Sequence, residues 1–335
     1  MNPLEEVKPS VIVTGATGHI GNNLVRLLVK DGFRTGALVR NSHSNDALDQ
    51  LPVSIHLGDL SNQELLTNIF DQYDVVCHLA GYISVMPRRR ELLNFVNVEG
   101  TRNVLQATIE SDKRLIYMSS SHAIPIDQSR KSINEDVLIT PQDIKEDYGR
   151  SKAIATKLVQ DAVKSHLLQA TILHPTGVIG PHDFKVSNIG QVIKAYKRKG
   201  TYFYIDGTYD FVDVRDVSLA TLAAITNKPP KNRYILSGHQ VSVFQLLEYL
   251  STLSGRNVPS IKIPVSIAKT AALLASYRAH IAGTSTNFTQ ESIGILTSGI
   301  TFDSSMAREH LGHMPRDWQI SVRDHYRWLE SEHSD

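Results

Sequence analysis

Short, strand-like, mainly apolar runs alternate along the first half of the chain with longer stretches whose apolar residues recur every three or four positions. The short runs stand at 11–14, 35–39, 53–56, 75–79, 114–118 and 170–174, with a later one at 233–236. Mainly apolar segments of this length suit buried strands. The intervening stretches, such as Leu65-Leu66-Thr67-Asn68-Ile69-Phe70 and Val104-Leu105-Gln106-Ala107-Thr108-Ile109, have helical spacing. Repeated strand–helix units predict an α/β fold with a doubly wound parallel sheet whose ligand lies at the carboxyl ends of the strands. From about residue 176 the pattern loosens into loops and helices rich in Gly, Pro and Tyr.

The first strand, Val11-Ile12-Val13, runs into a turn containing Gly15, Gly18 and Gly21, and helical spacing resumes at Asn22–Leu28. A strand, a tight turn and a helix start bring unpaired amides and the positive end of a helix dipole together, which makes an anion site. Glycine there permits unusual backbone angles and close approach of a pyrophosphate. The spacing is GxxGxxG rather than GxGxxG, and its place at the start of a strand–helix unit marks the turn, Gly15 through Gly21 with Thr17, His19 and Ile20, as cofactor-binding. Residues 8–175, with about 208–237, are thus expected to form the dinucleotide-binding domain. About 176–207 and 238–335 are expected to form a smaller, mostly helical substrate-binding lobe.

The chain has 335 residues with a formal net charge of +1, which argues against nucleic acid or an anionic membrane surface as its main partner. Arg88-Arg89-Arg90 reads as a solvated face or a substrate rim. A single cysteine, Cys77, sits in an apolar run and permits no intrachain disulfide, favouring a reducing compartment. The first ten residues have no apolar core, and the run around Val265–Ala275 is broken by Lys269 and too short to span a bilayer. A cytoplasmic location without membrane insertion is expected.

Strand two ends in Val39-Arg40-Asn41-Ser42. A dinucleotide with a free ribose 2′-hydroxyl usually meets an acid near this place, whereas a 2′-phosphate needs a cation. Val39 stands where the acid would be and Arg40 follows, with Ser42 nearby, so NADP is expected ahead of NAD. Gly58-Asp59-Leu60 closes the third strand, where Asp59 can accept from the adenine amino group.

Tyr148 and Lys152 stand four apart on a helical stretch and so project from one face. A phenol of pKa about 10 is a poor acid–base catalyst near neutrality unless a cation favours its ionised form. The strand Leu115–Met118 delivers Ser119-Ser120-Ser121 to the same sheet edge, where a hydroxyl can orient a substrate oxygen. His310 and His313 lack a third ligand at metal spacing and read as part of a surface turn, while His122 and His182 flank the site as rim residues.

Taken in order, TGATGHIG (14–21), GDL (58–60), HLAG (78–81), NVEGTRNV (97–104), YMSSS (117–121), YGRSK (148–152), HPTGVIGP (174–181) and FVDVRDV (211–217) resemble an extended short-chain dehydrogenase/reductase over nearly the whole chain. The resemblance implies a Rossmann sheet, Tyr148 as general acid/base, Lys152 holding the ribose and tuning the phenol, and Ser120 as the active-site hydroxyl with Ser121 as fallback. It implies further that Asp59, Leu60, Ala80 and Gly81 line the cofactor, that Pro175 and Val178 approach the nicotinamide, and that Asn97 is structural. Gly81 replaces a frequent alanine, and His122-Ala123-Ile124-Pro125 lacks the ending typical of sugar-nucleotide epimerases.

Dehydratases of this type need an acidic pair where Ser121-His122 stand. The stretch Ile83–Asn97 is similar to dihydroflavonol-reductase-like and 3β-hydroxysteroid-type members. An NADPH-dependent reductase acting on a small-molecule carbonyl/alcohol pair is therefore the expectation, with an NAD-retaining epimerase and a non-catalytic NADP sensor as alternatives. Apolar residues on two faces of the Tyr148 helix, Ile154, Leu158, Val159, Ala162 and Val163, together with pairing in similar proteins, suggest a homodimer.

Overall fold

Val11, Ile12 and Val13 are fully buried, and they divide between two cores. Val11 and Val13 join Leu24, Val25, Leu28, Val217 and Ala224 on one face of a sheet. Ile12 joins Leu66, Phe70, Val104, Leu115 and Val159 on the other. A strand apolar at every position is what a sheet covered by helices on both sides demands.

The computed structural model describes residues 8–40, 46–83, 90–126, 130–201, 203–282, 293–294 and 296–332. In chain order the elements begin β1 (Val11–Thr14), α1 (His19–Lys30), β2 (Thr35–Val39), β3 (Ser54–Leu57), α2 (Gln63–Phe70) and β4 (Val75–His78). Next come α3 (Arg90–Leu93), a π-helical stretch Asn94–Glu99, α4 (Gly100–Glu110), β5 (Arg114–Met118), β6 (Ser132–Ile133) and α5 (Asp147–Lys164). β7 (Ala170–Pro175), β8 (Gly177–Ile179), α6 (Asn188–Lys199), β9 (Phe203–Ile205), β10 (Thr208–Asp213) and α7 (Val214–Asn227) follow. The chain continues through β11 (Arg233–Leu236), β12 (His239–Ser242), α8 (Val243–Ser254), β13 (Ile261–Ile263), α9 (Val265–Ala282) and β14 (Thr301–Phe302), and has further helices at Ser305–Leu311 and Trp318–Ser331.

Seven parallel strands form the main sheet in the order β11-β7-β5-β4-β1-β2-β3. The order reverses between β1 and β4, so a crevice opens beyond their carboxyl ends, where doubly wound sheets bind ligands. This is the α/β Rossmann arrangement expected. Its strands fall within one residue of the expected bounds, with β3 at 54–57 rather than 53–56.

Residues beyond 176 depart from the loops and helices expected of them. They contain a three-stranded sheet, β12-β10-β8, and the short strands β9, β13 and β14. Strands of two to six residues leave no alternation long enough to register as a pattern. Ile179, Ile193, Leu250, Val322 and Tyr326 make a separate core here. Charged groups tie it to the end of the chain: Arg215 lies 2.7 Å from Asp213 and 2.8 Å from Asp324, and Arg316 lies 2.6 Å from Asp216.

His313 also departs from expectation, because it is buried rather than in a surface turn. Its Nε2–H donates to the Ser237 carbonyl at 2.8 Å, and His310 Nδ1 lies 3.2 Å from the Tyr234 hydroxyl. Met314 beside His313 is strongly exposed, at 82%. Among the described residues no His, Cys, Asp and Glu cluster suits a metal, and no helix is long and apolar enough to cross a membrane. Asn41, Ser42, Arg88 and Arg89 lie outside the described residues.

Candidate active site

The glycine turn is built from main chain alone. The Gly18 amide donates to the Gly15 carbonyl at 2.9 Å, and Gly15 has a φ of +71°. A Cβ on Gly15 would lie 2.5 Å from the Ala80 nitrogen, and one on Gly21 would lie 2.1 Å from the Gly15 oxygen. No side chain caps the start of α1, which leaves its first amides for an anion. Thr17 presents its hydroxyl at the rim, where it accepts a hydrogen bond from Lys185 Nζ at 2.9 Å. Ile20 packs into the core below the turn.

His19 serves another purpose with its ring. Nε2 lies 3.0 and 3.1 Å from the Gly180 and Pro181 carbonyls, so only its backbone is left for a cofactor. Asn22 and Asn23 reach the carbonyls of His182 and Pro181 at 2.9 and 3.1 Å. The glycine turn and the 180–182 segment are thereby locked together.

At the adenine side, Arg40 is exposed at the end of β2. Val39 is 5% exposed and belongs to the core on the α1 face, so a carboxylate at that position would be buried among apolar groups. Asp59 Oδ1 accepts from the Ser61 amide at 3.0 Å, and the Leu60 carbonyl accepts from Asn103 at 2.8 Å. Both hold the turn after β3. Pro175 ends β7 in a buried position, and Val178 packs against the core from β8.

The other end of the crevice is made of buried side chains. Tyr148 and Lys152 lie on α5 with exposures of 9% and 4%. Of the three serines, Ser119 bonds Thr156 at 2.6 Å, whereas Ser120 lies against the phenol and its hydroxyl favours the ionised form of Tyr148. His174 holds Ser120 in place by donating Nδ1–H to its carbonyl at 2.9 Å. Burial raises the Tyr148 pKa, and Glu146 and Tyr209 push it the same way.

Lys152 Nζ donates to the Met118 carbonyl at 2.7 Å and sits 3.5 Å from the Tyr117 hydroxyl, 4.9 Å from that ring's centroid. The ammonium thus rests on Met118 and Tyr117 of β5. Burial lowers its pKa to about 7. Gly81 passes close by, since a Cβ there would lie 3.5 Å from both Lys152 Nζ and Asn97 Oδ1. Asn97 in turn bonds the backbone of Tyr82 at 2.7 and 2.9 Å and the Ser151 hydroxyl at 2.9 Å.

These observations describe a parallel-sheet crevice with a backbone anion cradle at one end and a Ser–Tyr–Lys corner at the other. The NAD dependent epimerase/dehydratase family matches residues 11–237. The chain belongs to this family. Sterol demethylase protein B of Methylococcus capsulatus is 32% identical over 324 residues, covering 96% of this chain and 98% of that protein. A putative dihydroflavonol 4-reductase of Synechocystis is 28% identical, covering 95% and 94%. Among solved structures, gox2253 superposes with a TM-score of 0.84 at 27% identity, covering 97% and 98%. UDP-glucose 4-epimerase of Thermotoga maritima superposes at 0.78 with 18% identity, covering 96% and 99%.

The protein is therefore an NAD(P)-dependent enzyme of the extended short-chain dehydrogenase/reductase type, and its cofactor is a nicotinamide dinucleotide. The cradle fits that group, because its glycines stand where any side chain would strike backbone.

His122 was expected to flank the site as a rim residue, but its partners Glu146 and Tyr209 carried no signal in the sequence. His122 Nδ1 lies 2.8 Å from Glu146 Oε2 and its Nε2 lies 2.9 Å from the Tyr209 hydroxyl, while its ring stands edge-on to Tyr148 at 5.8 Å. Burial alone would lower the His122 pKa, but Tyr209 and Glu146 outweigh it and raise it to about 10. His182, by contrast, meets Trp328 and Phe184. Glu146 and Tyr209 come from unrelated segments, and no spacing rule joins them.

Proposed function

We propose that this enzyme is an NADP-dependent reductase that converts a small-molecule ketone or aldehyde to an alcohol. The observation that carries the reading is the convergence of Ser120, Tyr148 and Lys152 beside the glycine cradle. NADPH supplies the hydride when bound. The Ser120 hydroxyl donates to the substrate oxygen and orients it. Tyr148 then delivers its phenolic proton to that oxygen, and the developing charge on the phenolate is met by the nearby cations Lys152 and His122. Lys152, whose ammonium lies beside Gly81, would hold the ribose of a bound cofactor.

Arg40, with an apolar Val39 beside it, supports NADP over NAD. The names of the two relatives refer to a sterol and to a dihydroflavonol, which favours a ring ketone as substrate. Epimerases share the fold, and an NAD-retaining epimerase is the competing reading. The test is NADPH consumption with a panel of ring and open-chain ketones and aldehydes, set against isomerisation of a nucleotide sugar. Reductase activity predicts stoichiometric loss of NADPH absorbance. Isomerisation without net cofactor loss would overturn it.

A further inference from the structure

We infer that Lys185, contributed by the second lobe, is the second cation of the site for the adenosine 2′-phosphate. The inference rests on the NADP reading and extends it to a residue outside the sheet domain.

Lys185 lies four residues beyond Pro181 in Gly180-Pro181-His182-Asp183-Phe184-Lys185. That segment is fixed on the glycine turn by His19, Asn22 and Asn23. Asp183 is held by Ser187, through its amide at 2.7 Å and its hydroxyl at 2.6 Å. Phe184 is packed between Trp328, at 5.2 Å, and the Arg26 guanidinium, at 5.8 Å. The backbone that carries Lys185 is therefore held on both sides, and its ammonium is placed on the Thr17 hydroxyl at 2.9 Å.

Arg40, exposed at the end of β2 on the adenine side of the glycine turn, is the other cation here, and its charge adds to the burial lowering the Lys185 pKa. Among the described residues neither cation has a carboxylate within 4 Å. Two like charges brought together beside an anion cradle repel each other, and a dianion between them removes that cost. The diphosphate of the cofactor has the α1 amides. The rim cations, one at the end of β2 and one over Thr17, suit the additional phosphate that distinguishes NADP from NAD. Because one cation belongs to each lobe, the 2′-phosphate also bridges them.

The experiment measures dissociation constants by calorimetry for NADPH, NADH and adenosine 2′,5′-bisphosphate with wild type, Arg40→Ala, Lys185→Met and Lys185→Arg. Lys185→Met should weaken NADPH and the bisphosphate by about tenfold, the worth of one charge-assisted hydrogen bond, and leave NADH within about twofold. Lys185→Arg should restore most of the loss. Equal weakening of NADPH and NADH would place Lys185 on the diphosphate and overturn the inference. No change for any ligand, with Arg40→Ala still selective against NADPH, would overturn it while leaving the NADP reading intact. A wild type that binds NADH as tightly as NADPH and ignores the bisphosphate would remove the NADP reading itself.

Discussion

The two ends of the cofactor crevice are made of different materials. At the phosphate end the contacts are main-chain amides around Gly15, Gly18 and Gly21, and the charges of Arg40 and Lys185 stand at an open rim. At the end proposed for the chemistry the candidate groups are side chains, and Tyr148, Lys152 and Ser120 are each at least nine-tenths buried. The difference has an energetic meaning. Rim charges are screened by water and salt, so each contributes modestly. Buried groups act at low dielectric, where one proton or one charge changes the balance strongly. Single substitutions should therefore be severe at the chemical end and graded at the rim, except where a side chain would collide with backbone.

The largest effect is expected at Tyr148. Tyr148→Phe removes the proton donor without removing volume, and kcat should fall by about a hundredfold to ten-thousandfold. NADPH affinity, measured by fluorescence titration, should stay within about threefold. Near-normal turnover would erase the distinction between the two ends.

Gly21→Ala tests the exception at the phosphate end. The added methyl would stand 2.1 Å from the Gly15 carbonyl oxygen, so the turn must shift and its amides lose their aim. Cofactor affinity should drop by at least about tenfold, the worth of one or more hydrogen bonds to a charged group. Unchanged binding would show that the cradle tolerates rearrangement.

Two buried cations flank Tyr148 and titrate with opposite consequences. Lys152 has a folded pKa of about 7, below its ordinary 10.5, so its burial opposes folding fully below pH 7 and less as the pH rises toward 10.5. His122 is raised from 6.5 to about 10, so its support is complete below pH 6.5 and lost as the pH rises through about 10. Lys152→Met should accordingly raise the melting temperature of the cofactor-free protein near pH 6, with the gain fading by pH 10. Glu146→Gln removes a carboxylate that helps hold the His122 charge, and its melting temperature should be lowered most near pH 6, with the loss fading as the pH rises through about 10. Melting curves across pH 6–10 check both signs. Parallel pH profiles for the two variants would contradict them.

The smallest effect concerns assembly. Leu92 and Phe95, at 40% and 53% exposure, lie before α4, and α5 leaves Ile154 and Leu158 partly exposed. A homodimer through this flank is proposed. Light scattering should give twice the chain mass, and Phe95→Asp should halve it while barely changing turnover. A monomeric wild type would remove the proposal.

How much of this was legible beforehand follows the same division. Six of the seven main-sheet strands announce themselves because they are buried and predominantly apolar, whereas β3, at the sheet edge, is largely exposed and stands out less sharply. The glycine turn is legible because backbone chemistry restricts the residue choice. Tyr148, Lys152 and the serines are legible through their spacing. His122 is legible only as a flanking residue, and Glu146 and Tyr209 are not legible, because the meeting of the three depends on three segments converging; Lys185 escapes notice because its position is set by His19, Asn22 and Asn23 acting at a distance of some 160 residues along the chain. The strands β8, β10 and β12 are too short and too mixed in polarity to stand out.

The proposed reductase would transfer a hydride permanently from NADPH to a carbonyl carbon. Turnover with NADPH deuterated at the transferable position of its nicotinamide is the decisive measurement. One deuterium is expected in each product alcohol, matched by one equivalent of NADP formed. Deuterium that stays with the cofactor pool while the product is an isomer of the substrate would contradict it.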